Sequence, residues 1–140
     1  MLLLALTVAS CSLNEVDGIR IDQTLYENQS AVKQQELRQL IRQTLNRDEK
    51  ALAKLSDFGC GGGAGCYDLG FVITQIIYRV GEKDFIAMAS TLDSKQSAVL
   101  ESLITAGLEY GDQNKDGKVD NRRIETEFPA LSELLKSKNE

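Results

Sequence analysis

The chain has 140 residues and an apolar content of 42%, which suffices for one ordinary domain with a hydrophobic core and argues against disorder. Its 16 basic and 21 acidic residues give a formal net charge of -5, so no excess of positive charge is available for a nucleic-acid-binding surface. We therefore expect a single domain that has no nucleic-acid partner.

The chain opens with an apolar run, MLLLALTVAS, that is too short to span a bilayer but has the length of a signal-peptide core. The four residues VASC that end at Cys11 resemble the lipobox of bacterial lipoproteins. By that resemblance, residues 1–10 are a signal peptide and Cys11 carries the acyl chains that anchor the protein in the bacterial cell envelope. The alternative is a buried N-terminal strand or helix that contains an ordinary cysteine.

The segment after Cys11, SLNEVDGIRIDQ, is polar and contains only scattered apolar residues. Such a composition is typical of a flexible connection, so we expect residues 11–21 to be a tether between the membrane and the domain. The folded domain is then predicted to comprise residues 22–140.

Cys60 and Cys66 flank a glycine-rich stretch, CGGGAGC. In an exported protein these thiols meet an oxidising compartment, so a disulfide that closes this loop is the expected arrangement and free thiols are the alternative. A zinc site would lack ligands because the chain contains no histidine, and redox catalysts use a C-x-x-C spacing. The glycine-rich backbone could also form an anion-binding nest, but no P-loop motif follows it.

Three helical segments share the frame L-x-x-[LV]-I-x-x-x-[LI], with starts at Leu37, Leu69 and Leu100 that lie 32 and 31 residues apart. Each frame places its apolar residues on one helix stripe. Shorter helical segments, Glu49 to Phe58 and Glu82 to Leu92, lie between the frames. The predicted fold is therefore all-α, with helical hairpins stacked as a small solenoid-like domain or packed as a bundle of about six helices.

The outer helices of this scheme are an opening helix from about Ser30 to Arg47 and a closing helix from about Asn121 to Ser137. No strand is expected. The segment FVITQIIY is β-prone by composition, but its place in the repeat frame predicts a helix.

The stretch DQNKDGKVD, from Asp112 to Asp120, resembles the calcium loop of EF-hands and of the related dockerin modules. Calcium needs six to eight oxygen ligands, which alternating side chains around a glycine turn can supply. By that resemblance, the loop spans residues 112–123 and binds Ca²⁺ through Asp112, Asn114, Asp116, the carbonyl of Lys118, and Asp120. Loop position 12, where the family has an acidic bidentate ligand, is Arg123, so any calcium binding is expected to be weak. The alternative is a polar connection in which Gly117 supplies a positive φ.

The sequence contains no histidine and no G-x-S-x-G motif, so we expect a protein that is not an enzyme. The preferred prediction is a lipid-anchored envelope protein whose helical domain binds a protein partner. The alternatives are a calcium-stabilised structural or dockerin-like module, and a small envelope immunity or inhibitor protein.

Overall fold

The computed structural model describes residues 14–140, so the predicted signal peptide and Cys11 lie outside the described residues. The described chain is an all-α domain that begins with one short β-hairpin. Its elements are β1 (Glu15–Val16), β2 (Ile19–Arg20), α1 (Gln23–Glu27), α2 (Ala31–Leu45), α3 (Glu49–Ser56), α4 (Ala64–Val80), α5 (Glu82–Ala89), α6 (Ser94–Tyr110), α7 (Ile124–Glu127) and α8 (Pro129–Asn139). Within the described range, no helix has both the length and the apolarity that crossing a membrane requires.

Helix α4 is the centre of the domain. It packs most extensively against α6 and also contacts α1, α2, α5 and β2. Every residue from position 69 to position 77 is buried, including the polar Thr74 and Gln75. A helix enclosed on all sides forms the core of a bundle, whereas a solenoid repeat contacts only its neighbours. Of the two arrangements predicted, the domain adopts the bundle.

The repeat frame is the core-facing stripe of three helices, α2, α4 and α6. All of its positions are buried except Leu45, which is half-buried, and they are Leu37, Leu40, Ile41, Leu69, Val72, Ile73, Ile77, Leu100, Leu103, Ile104 and Leu108. The short helices α3 and α5 contribute Leu52, Leu55, Phe85 and Met88 to the same core. The periodicity therefore predicted the core correctly, because an apolar stripe on a helix can be removed from water only against other elements.

The tether prediction for residues 11–21 is wrong over residues 14–21. This segment forms the β-hairpin, in which Val16, Ile19 and Ile21 are each 1% exposed and belong to the core. Asp17 and Gly18 have φ values of 50° and 85°, the positive values that a two-residue hairpin turn requires. The Asp-Gly pair between Val16 and Ile19 was the signal for this hairpin.

A buried glutamine attaches the hairpin to the central helix. The amide of Gln75 accepts a hydrogen bond from the Arg20 N–H and donates one to the Arg20 carbonyl, each at 2.9 Å. A side-chain amide can satisfy both backbone groups of one strand residue in this way, and the pairing makes a polar residue acceptable inside the core.

The prediction of one closing helix from Asn121 is also wrong. Residues 111–123 form no helix, and α7 is a single turn. Helix α8 then begins with Pro129 at its first position. Phe128, between the two helices, has a φ of -137° and a ψ of 67°, which are not helical values. A residue that precedes proline disfavours the α conformation, so the chain turns here and starts a new helix.

Candidate functional site

The predicted calcium loop, residues 112–123, connects α6 to α7. Its backbone folds around the side chain of Asp112. The two carboxylate oxygens of Asp112 accept hydrogen bonds at 2.9 Å from the backbone N–H groups of Asp116 and Gly117. Asn114 accepts a second bond from the Asp116 N–H at 3.2 Å, and Asp116 accepts one from the Lys118 N–H at 2.8 Å. The structure thus brings Asp112, Asn114 and Asp116 together around a turn in which Gly117 has a φ of 81°.

Asp120 faces a different part of the loop. Its carboxylate accepts a hydrogen bond from the Gln113 N–H at 2.8 Å and lies 3.7 Å from the Arg122 guanidinium. Lys118 is exposed. Within residues 14–140, no group of three or more His, Cys, Asp or Glu side chains is arranged as a metal site.

The residues near loop position 12 supply no ligand to the turn. Arg123 is the N-cap residue of α7, and Glu125, two residues on, forms an ion pair with Lys136 of α8 at 3.3 Å. A backbone hydrogen bond, and then the hydrogen bond from Lys136, lower the pKa of Glu125. The loop therefore contains a glycine turn with three oxygen-bearing side chains, but it has no acidic side chain at position 12 to complete a calcium coordination sphere.

Tyr78 connects the central helix to the end of this loop. Its hydroxyl donates a hydrogen bond to Glu127 at 2.7 Å and accepts one from Arg122 at 3.0 Å. Burial and then the Glu127 hydrogen bond raise the pKa of Tyr78 to about 12, because both disfavour the phenolate. The network binds α4 to the segment that leads into α7.

Cys60 and Cys66 form the predicted disulfide, with their Cα atoms 4.9 Å apart. The bridge closes the glycine-rich loop in front of α4. Gly61, Gly62 and Gly63 all have positive φ values in this loop, a conformation that side chains other than glycine rarely adopt. Both cysteines pack against the hydrophobic core at the wall of a surface groove.

This groove is an open, mainly apolar concavity with a volume of about 650 Å³. It lies between the end of α3, the disulfide loop, the start of α4 and the outer side of α6. Its lining residues are Ser56, Asp57, Phe58, Cys60, Cys66, Tyr67, Leu69, Ala98, Val99, Ser102, Leu103 and Ala106. The small side chains of Ala98, Ser102 and Ala106 recur at helical spacing along α6, so this side of the helix forms a shallow channel.

Tyr67, which lines the groove, and the neighbouring Tyr110 continue the apolar surface past its end. Tyr67 of α4 stacks on Tyr110 of α6 with ring centroids 4.7 Å apart. Both rings remain about half exposed, at 46% and 48%. The adjacent Glu109 carboxylate raises the pKa of Tyr110, first through its charge and then through a hydrogen bond. Large exposed aromatic groups beside an apolar groove are typical of a protein-binding surface.

Acidic side chains border this surface. Asp57 lies at the α3 end of the groove. Glu101 and Glu109 border a shallower depression on α6 that shares Ser102 and Ala106 with the groove. Acidic side chains therefore lie at the α3 end of the groove and on the adjoining face of α6, while the Lys33 ammonium lies 5.8 Å from the centroid of the Phe58 ring.

Neither a protein-family model, a curated protein nor a solved structure showed significant similarity to the chain. The chemistry of its own residues is thus the basis for any functional assignment.

The sequence did not predict the groove. Phe58, Tyr67, Val99 and Ala106 come from three separate parts of the chain, and each is an ordinary core or surface residue of its own segment. The one available signal was Tyr67, an aromatic residue outside the repeat frame in the first turn of α4.

Proposed function

We propose that the protein is a bacterial envelope lipoprotein that is anchored by Cys11 and binds a partner protein, without catalysis, through the apolar groove between α3, α4 and α6. The observation that carries the binding role is the groove itself, because its floor is apolar while Tyr67 and Val99 stand exposed at its edge. The lipobox-like VASC supports the anchor.

The chemistry of the groove specifies the kind of partner. A segment that packs apolar side chains against Tyr67 and Val99, which are 46% and 37% exposed, would remove additional apolar surface from water, at about 25 cal/mol for each Å². The acidic border of Asp57 and Glu101 favours a segment that carries Lys or Arg beside its apolar face. An amphipathic helix with basic flanks meets both requirements.

Site-specific photo-cross-linking tests this role. A photoreactive amino acid replaces Val99 in the groove or, as the matched control, Val32, which is 77% exposed on α2 and lies outside the groove. In intact envelopes we expect a defined cross-linked species from position 99 that is missing from position 32. Identical products from both positions would contradict the proposal.

A charge placed in the channel then tests whether the captured protein uses the groove. Ala106→Glu introduces a carboxylate among apolar side chains, so the affinity of the purified partner should fall at least about tenfold. Unchanged affinity would exclude the groove as its binding site. A cross-linked species with twice the mass of the chain would identify the occupant as a second copy.

The anchor has a separate test. Cys11→Ser removes the proposed acylation site, so the protein should move from the membrane fraction to the soluble fraction. Unchanged fractionation would refute the lipoprotein assignment and leave the groove experiment unaffected.

A second proposal concerns the loop at residues 112–123. The three potential ligands Asp112, Asn114 and Asp116 already share one turn, which supports a weak Ca²⁺ site that braces the connection between α6 and α7. Since Arg123 stands at position 12, the site would have a structural role and little capacity to act as a calcium sensor.

A further inference from the structure

A second pocket, of different character from the groove, lies between the β-hairpin, α4 and the beginning of the α6–α7 loop. Its volume is about 360 Å³. It is polar, and its lining residues are Gly18, Ile19, Arg20, Phe71, Gln75, Tyr78, Arg79, Asp112, Gln113 and Lys115.

Three cationic side chains line this pocket, one from each element around it. They are Arg20 of β2, Arg79 of α4 and Lys115 of the loop. The one carboxylate in the lining, Asp112, uses both oxygens to accept backbone N–H groups within its own loop. Positive charge is therefore concentrated here in a chain whose formal net charge is -5.

The Arg20 guanidinium is held in place. Its Nη2 donates a hydrogen bond to the Asp112 carbonyl at 3.0 Å, and its Nε lies 3.4 Å from the Asp22 carboxylate. The group also stacks over the Phe71 ring, 5.0 Å from the centroid. A guanidinium carries five N–H bonds, so these contacts leave donors available to a ligand.

Arg79 is held by the turn of the β-hairpin. Its Nη1 donates a hydrogen bond to the Asp17 carbonyl at 2.9 Å. Its Nη2 lies against Gly18, where a Cβ atom would collide with it. Cations fixed before a ligand arrives lose little conformational entropy on binding, so the pocket is pre-organised for an anion.

Gln113 adds an unpaired polar group to the lining. Its side-chain oxygen is buried and has no hydrogen-bond partner. Buried polar atoms without a partner are rare, and a ligand that carries a hydroxyl donor would satisfy this one. A protonated phosphate combines such a donor with anionic oxygens.

We propose that this pocket binds a phosphate group. A tetrahedral oxyanion presents oxygens in several directions, which suits cations that converge from three elements better than a planar carboxylate does. The volume also leaves room for a substituent on the phosphate. Free phosphate compounds and phospholipid headgroups share the anionic phosphate oxygens, and in a phosphodiester headgroup such as that of phosphatidylglycerol the hydroxyl donor towards Gln113 would come from the glycerol.

Because the pocket lies near the start of the described chain, a lipid headgroup is one of the two sources from which its phosphate ligand could come. This point alone rests on the proposed anchor at Cys11. Asn14 begins the described structure three residues after Cys11, and three residues span at most about 11 Å. In a protein acylated at Cys11, the hairpin and its pocket would therefore lie close to the membrane surface.

Titration of the mature chain, residues 11–140 with Cys11→Ser, tests the proposal. Inorganic phosphate and glycerol phosphate are added in the presence of EDTA, and backbone amide NMR signals are followed. We expect saturable shifts for residues 18–20 and 113–115. The absence of saturation by either compound up to about 10 mM would overturn the proposal.

Two lysines of the same loop provide a matched pair of variants. Lys115→Glu reverses a charge in the lining and should weaken phosphate binding at least tenfold. Lys118→Glu makes the same charge change outside the lining and should alter the affinity for phosphate less than twofold. Equal losses from the two variants would mean nonspecific attraction and would also overturn the proposal. Their melting temperatures establish that both remain folded.

Vesicles distinguish the two sources of phosphate. If the headgroup is the ligand, the Cys11→Ser chain should sediment together with phosphatidylglycerol vesicles. The Lys115→Glu substitution should abolish this co-sedimentation, and added glycerol phosphate should compete with the vesicles for the protein. If soluble phosphates bind and the vesicles do not, the ligand is a free phosphate compound. Neither result depends on whether Cys11 is acylated in the cell, which the fractionation experiment decides.

Discussion

Gly70 of α4 and Gly107 of α6 bring the two longest helices of the described chain into backbone contact. A Cβ atom on Gly107 would overlap the Gly70 carbonyl, and a Cβ atom on Gly70 would overlap the Leu103 carbonyl. The absence of both side chains lets the central helix and its main partner approach closely, and α6 presents its outer side to the groove from this position.

Gly107→Ala should therefore lower the free energy of unfolding by about 1–3 kcal/mol, because the added methyl group must push apart two helix backbones. Urea unfolding measures the change. Gly59→Ala is the matched control, because its Cβ atom would have no neighbour within 4 Å, and it should alter stability by less than about 0.5 kcal/mol. Equal effects from the two substitutions would show that α4 and α6 do not cross at Gly107.

Ile19→Ala tests whether the hairpin belongs to the core. Ile19 is 1% exposed, so truncation should cost about 2–5 kcal/mol through lost apolar burial and a residual cavity. Val32→Ala removes a similar side chain from an exposed site and should cost less than about 0.5 kcal/mol. If Ile19→Ala were as mild as the control, residues 14–21 would be a tether after all.

Reduction of the disulfide between Cys60 and Cys66 should lower the free energy of unfolding by about 2 kcal/mol, since the bridge closes a short loop and restricts the unfolded chain. Thermal melting with and without a phosphine reductant measures this in the Cys11→Ser chain. A variant that also carries Cys60→Ser and Cys66→Ser should melt at the temperature of the reduced protein, and the reductant should not change its melting temperature. Sensitivity of that variant to reductant would point to a different cause.

Calcium should bind weakly to the loop, with a dissociation constant on the order of 10⁻⁴ to 10⁻³ M and a rise in melting temperature. The double substitution Asp112→Ala, Asp116→Ala should abolish both the heat of binding and the calcium-dependent rise. Glu125→Ala is the control and should leave both unchanged, because that carboxylate faces Lys136. A loop that gives no response to several millimolar calcium would be a polar connection between helices.

Tyr78 should make stability depend on alkaline pH. Its pKa is raised from 10 to about 12 in the folded state, so its contribution is complete below pH 10 and is lost as the pH rises towards 12. The melting-temperature difference between the wild type and Tyr78→Phe should therefore shrink over this range. A constant difference for Tyr78 would argue against the hydrogen bonds to Glu127 and Arg122.

The helical core was predictable because its signal is local. The spacing that begins at Leu37, Leu69 and Leu100 repeats within single helices, and each of these three leucines is fully buried. The disulfide was predictable for the same reason, since Cys60 and Cys66 are six residues apart and can meet by closing one flexible loop.

The errors arose where tertiary contacts outweighed local composition. Val16, Ile19 and Ile21 are too few to indicate a folded element by periodicity, but the turn at Gly18 and the amide of Gln75 fix them against α4. The predicted closing helix was too long because a turn at Phe128 redirects the chain before Pro129.

The sequence by itself determined the all-α class, the buried stripes and the disulfide, because each depends on residues that are close along the chain. Only the tertiary structure decided that these helices form a bundle around α4, and it alone formed the two pockets. The apolar groove joins residues from Ser56 to Ala106, and the polar pocket joins Gly18 to Lys115. Such surfaces depend on the packing of distant helices, and here that packing depends on the close contact between Gly70 and Gly107.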